Sequence, residues 1–141
     1  MNRFLKSIII SILYIVFNLF FFSILFRGSL SGDSGIIIIV LLIMIVITSI
    51  GLLIFNLIFE KFSKHNIAYR LLSIILKQSI FEFSSLLILD RFCVAGIFDK
   101  EDISLENTNT VFSLASIFSL IAIETIIYLY ENREKQQQPT T

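Results

Sequence analysis

Four apolar runs of about twenty residues take up most of this 141-residue chain. A helix needs roughly 20 apolar residues to cross the ~30 Å hydrocarbon core of a bilayer, so each run is long enough to span one. The chain is 56% hydrophobic, above the roughly 45–50% apolar content of soluble domains, and its mean hydropathy is +0.90. The runs leave no room for a separate soluble domain. The expected fold is therefore all-α: a polytopic membrane protein with four transmembrane helices in one compact bundle. Residues 1–130 form that single membrane domain, with spans at about 4–26, 36–59, 70–90 and 110–130. Residues 131–141, ENREKQQQPTT, read as a disordered cytoplasmic tail.

The third run, Arg70–Arg91, decides how the others must fit together. Lys77 and Glu82 lie well inside it. On a helix at ~100° per residue, Arg70, Ser73, Lys77, Ser84 and Arg91 share one stripe, with Gln78 and Ser85 beside it and Glu82 at the far edge of the polar half. Leu72, Ile75, Leu76, Phe83 and Leu86 lie opposite, while Phe81 and Ile88 interrupt the polar half. An intramembrane charge costs about 2.5–3.5 kcal/mol on the insertion scale, whereas each Leu, Ile or Phe returns only about 0.3–0.6. This helix needs neighbours that cover its polar half.

Those neighbours have polar faces of their own. In the first run Ser7, Ser11, Tyr14 and Asn18 recur on one helical face, which should point at protein and not at lipid. The second run has no charge, only Thr48, Ser49, Gly51 and Asn56, which suit close packing and interhelical hydrogen bonds. In the fourth, Thr110, Ser113, Ile117, Ile121, Glu124 and Tyr128 form one face, and Tyr128 is placed one turn after Glu124 to hydrogen-bond it. The first run is longer than the roughly 7–15 residues of a signal-peptide core, so an uncleaved anchor is expected. After Arg91 the chain stays apolar, so the third helix either runs on to about Ile97 or folds onto the membrane surface.

The motifs that remain are weak. The Gly/Ser turn at 27–35 has no following GK[ST] to cradle phosphate. The acidic stretch from Asp99 to Glu106 has Ser104 where a calcium loop needs glycine. His65 is the sole histidine and reads as a loop residue; Cys93 is the sole cysteine and reads as a small packing residue. No metal or cofactor is expected. Net charge is zero, so nothing points to nucleic acid. Ser73 and Lys77 are spaced for a Ser–Lys pair, but a Lys77 held by a carboxylate cannot act as a base, and no enzyme is expected.

Depth pairs the buried charges. Lys77 lies about 10 Å from the inner end of its span at 1.5 Å per residue, and Glu124 about 10 Å from the same face. In antiparallel spans they meet, and an interhelical ion pair is expected. Glu82 is deeper, at about 18 Å; Asn18, at similar depth, is its candidate hydrogen-bond partner. Lys77, Glu82, Glu124, Asn18 and Tyr128 make up the expected intramembrane polar cluster. Such a cluster serves either as glue in an accessory or interaction subunit, or, through Glu82 and Glu124, as the site of a small proton-coupled transporter or channel. The expected partners are the lipid bilayer and a second copy or another membrane protein. The Ile- and Phe-rich, Trp-free composition suits a bacterial inner membrane.

Lys and Arg set the orientation. With both termini cytoplasmic, Arg3, Lys6, Lys61, Lys64, Arg70, Arg133 and Lys135 lie inside, against Arg27, Arg91 and Lys100 outside. A three-span arrangement with 70–97 on the cytoplasmic surface satisfies the same rule. The two differ in accessibility. In a Cys93→Ser background, a cysteine placed at Ser104 should be labelled from outside and one at Gln137 only from the cytoplasm. The reverse result would put the third segment on the membrane surface.

Overall fold

The computed structural model describes residues 3–26, 34–59, 67–90, 93 and 108–137. Four α-helices follow in chain order: α1 (Arg3–Leu25), α2 (Ser34–Phe59), α3 (Ile67–Leu89) and α4 (Thr108–Gln137). Each contains a stretch long and apolar enough to cross a membrane. Each packs against the next in sequence, and α4 closes back onto α1, so the helices form a four-sided bundle. In α1 and α4 the chain runs in opposite directions. Phe22, late in α1, packs on Phe112, early in α4, with ring centroids 5.4 Å apart, while Lys6 reaches Glu131 at the other end.

The polar and apolar sides are arranged for an apolar surround. Ser7, Ser11, Tyr14 and Asn18 of α1 are buried, whereas Phe4, Ile12, Val16 and Phe20 face out. On α3, Lys77, Glu82, Ser84 and Ser85 are buried and Leu72, Ile75, Leu76 and Phe83 are exposed. Phe81, an interruption in the polar half by sequence, is fully buried and fills the core with Tyr14, Met44, Leu52 and Phe112. The outward hydroxyls do not need water. Ser23, Ser79 and Thr125 each donate to a carbonyl of their own helix, at 2.8, 3.0 and 2.8 Å, as backbone and side-chain polar groups in hydrocarbon must.

Three expectations change. First, α4 does not stop near 130 but continues to Gln137, so residues 131–137 of the expected tail are helical. The segment is rich in Glu, Lys, Arg and Gln, all strong helix formers, and Glu131 is tied to α1 and α3. Second, of the two courses open at the end of α3, continuation as one helix to about Ile97 is not the one taken. The helix ends at Leu89, and Asp90 takes a left-handed φ of 55°, a helix-ending conformation that Asp tolerates better than most residues. The Cys93 N–H donates to Ser85 Oγ at 3.3 Å. Third, the inward stripe of α4 includes Thr110, Ser113 and Glu124 as expected, but Ile121 and Tyr128 face outward. Ser116, Ser119, Leu120 and Ile123 are buried instead, because the small serines let α1 and α3 approach α4 from two sides. Residues 27–33 of the Gly/Ser turn, the connector with His65 and the stretch from Asp99 to Glu106 lie outside the described residues.

Gly51 lets α2 approach α3 closely. A Cβ placed there would lie 2.6 Å from Cγ2 of Ile80 on α3, and a β-branched side chain in a helix has little rotamer freedom to move away. Gly51→Ala should therefore destabilise the bundle by about 1–3 kcal/mol. Adding Ile80→Ala should recover part of that loss. Unfolding followed by circular dichroism in mixed detergent micelles measures both; an unchanged midpoint for the single variant contradicts the close approach.

Candidate functional site

Two layers of polar side chains are centred on the α3–α4 seam. The first lies toward the end of the bundle that holds Lys6, Arg70 and Glu131. Lys77 of α3 and Glu124 of α4 meet there as a buried ion pair. Glu124 Oε1 also accepts from Ser73 Oγ at 3.4 Å, and its Oε2 lies 3.6 Å from Arg70 Nη1. Arg70 Nη2 pairs with Glu131, whose other oxygen lies 3.5 Å from Lys6 Nζ on α1. The four carboxylate oxygens of Glu124 and Glu131 are thus all engaged by cations of α1 and α3.

Helix geometry accounts for this double pairing. Seven residues separate Arg70 from Lys77, and seven separate Glu124 from Glu131. Seven residues are two turns, so each set lies on one face at one spacing, and two antiparallel helices bring both sets into register. Matched depth in the sequence points to the inner pair, whereas the outer pair depends on Glu131, whose polar surroundings read as a tail. The repeated seven-residue interval was the signal.

The second layer is a relay of neutral groups ending on Glu82. Gln78 Nε2 donates to Glu82 Oε1 at 2.8 Å, and Ser113 Oγ donates to the same oxygen at 2.9 Å. Ser116 Oγ donates to Gln78 Oε1 at 2.8 Å. Its oxygen lies 2.9 Å from Tyr14 Oη, and with the Ser116 proton already committed, Tyr14 is the donor in that contact. Donors therefore point in one direction, from α1 through α4 to α3. Gln78 sits at the branch, a role the sequence did not disclose.

Two expected contacts do not form. Asn18 is fully buried, but it does not bond Glu82, and neither of its amide atoms has a hydrogen-bond partner. It is carried by α1, which packs on α2 and α4 while Glu82 belongs to α3; the link from α1 to Glu82 passes instead through Tyr14, Ser116 and Gln78. Tyr128 is 44% exposed and offers its ring rather than its hydroxyl. The Arg70 guanidinium lies over it at 5.2 Å from the centroid, a cation–π contact. Glu124 meets cations on its other side.

Chemically, the first layer holds helices together by charge and the second by directional hydrogen bonds. No group of three His, Cys, Asp or Glu side chains converges among the described residues. Breaking one side of a buried ion pair costs about 3–5 kcal/mol, while replacing both partners by apolar residues is often neutral. Lys77→Met or Glu124→Leu alone should each destabilise by about that amount. The double variant should be more stable than either single one, since Arg70 keeps Glu131. Equilibrium unfolding in mixed micelles measures the cycle, and additive losses would show that the two residues do not act as a pair. A reciprocal charge swap should rescue less well, because a lysine at 124 would face Arg70.

No family model matches the chain, and neither a curated protein nor a solved structure does.

Proposed function

We propose that this chain is a non-enzymatic accessory or interaction subunit of a membrane, in which the buried polar faces fix one helix arrangement and the apolar exterior meets lipid and a protein partner. One observation carries this reading. The charged groups of the seam are engaged within the chain: Lys77 by Glu124, Glu131 by Lys6 and Arg70, and Glu82 by Gln78 and Ser113. Groups held this way lock register and leave Lys77 no role as a base. The outward face of α2, with Ile39, Ile43, Ile50 and Ile54 exposed and no charge, suits contact with lipid or with another helix, either from a second copy or from a different membrane protein. The basic-residue asymmetry supports placing both termini in the cytoplasm, and the composition supports a bacterial inner membrane.

The relay of donors from Tyr14 to Glu82 favours a second reading, a small proton-coupled transporter or channel using Glu82 and Glu124. Variants at Glu82 separate the two. For an interaction subunit, Glu82→Gln keeps the assembly extracted in mild detergent and Glu82→Leu loses it. Proteoliposomes holding a pH-sensitive dye then take up protons no faster than empty vesicles. For a transporter, the wild type carries protons across an imposed gradient and Glu82→Gln abolishes the flux with assembly intact.

A further inference from the structure

Beside the Lys77–Glu124 pair, between all four helices, lies a cavity of about 230 Å³. Ser7, Asn56 and Lys77 contribute its polar lining together with Glu124, and Phe59, Leu72 and Leu76 contribute to its apolar wall. Ser7, Asn56, Lys77 and Glu124 are more than nine-tenths buried, whereas Phe59, Leu72 and Leu76 are 44%, 50% and 41% exposed. The cavity therefore has a polar floor in the bundle and apolar lips on the outward faces of α2 and α3.

Its hydrogen-bonding capacity is one-sided. The Glu124 carboxylate is already engaged by Lys77, Ser73 and Arg70. Among the described residues, the buried Asn56 amide nitrogen has no hydrogen-bond partner. Lys77, an ammonium with three donors, has Glu124 as its partner. Among the described residues of the floor, the unmet hydrogen-bonding capacity is on the donor side. A buried donor left unsatisfied costs about 1–3 kcal/mol, which an occupant bearing acceptor oxygens would recover.

We propose that this cavity binds the oxyanion head of an amphiphile, with the head on Lys77 and Asn56 and the apolar chain leaving between Phe59, Leu72 and Leu76 along the lipid-facing surface. The volume suits a headgroup and the first methylenes and is below the roughly 300–1,000 Å³ of pockets that enclose whole drug-sized ligands. A carboxylate and a phosphate headgroup present the same chemistry to these donors.

The test uses the full chain in phosphatidylcholine nanodiscs, with oleate labelled with carbon-13 at its carboxyl as the probe. A saturable bound carboxyl resonance at one site per chain is expected. Asn56→Leu, which removes the polar contact, and Leu76→Trp, which blocks the lips from an exposed position, should each weaken binding about tenfold or more. Circular dichroism checks that both variants stay folded. Displacement of oleate by phosphatidylglycerol built into the discs identifies a lipid phosphate as the competing occupant; binding indifferent to phosphatidylglycerol identifies a free carboxylate amphiphile. Oleate that partitions without saturation, or binds both variants as it binds the wild type, overturns the proposal.

Discussion

A charge in hydrocarbon must be covered, and Lys77 imposes that requirement on the rest of this molecule. Its ammonium lies well inside α3 and is buried there, and a carboxylate from another helix satisfies it. Glu124 supplies it. This fixes α3 and α4 as antiparallel neighbours in one register, which in turn sets Arg70 against Glu131 and Gln78 between Ser113 and Ser116. α1 is then drawn in from both layers, through Lys6 to Glu131 and through Tyr14 to Ser116.

Apolar packing does different work. The outer surface is almost as hydrophobic as the core, so burial of apolar area in itself gives little reason for one arrangement over another when the surround is lipid. Close approach and shape decide instead. Gly51 brings α2 against Ile80, the serines of α4 admit two neighbours, and Phe22 and Phe112 meet at the end opposite the ion pairs. The helix α2 has no ion pair within its span and is held mainly by this kind of contact, with a hydrogen bond from Ser11 to the Ser49 carbonyl at 3.1 Å.

Much of the arrangement was legible in the sequence because the bilayer simplifies the problem. Length and hydropathy gave four helices, and the polar faces of α1 and α3 gave their inward sides. The matched depths of Lys77 and Glu124 pointed to their contact. What was not legible depended on helix ends and on which helices are neighbours. Glu131 looks like a tail residue until Lys6 and Arg70 are placed beside it. Asn18 and Glu82 lie at similar depth, but depth alone does not say that α1 and α3 belong to different sides of the bundle. Tyr128 sits one turn from Glu124, yet the arc buried on α4 turns it outward toward Arg70. Asp90 ends α3 through a backbone conformation that the apolar residues after it do not signal.

The distribution of the ion pairs along the chain also imposes an order on biogenesis. Lys6, Arg70 and Lys77 are all synthesised before the carboxylates that neutralise them, because Glu124 and Glu131 belong to the last helix. Until α4 leaves the ribosome, α3 carries a buried cation with no counter-charge, and the inward face of α1 has no Ser116 to receive Tyr14. An early fragment therefore holds exposed polar groups that a membrane-protein quality-control system can detect. Arrival of α4 covers both layers in one step.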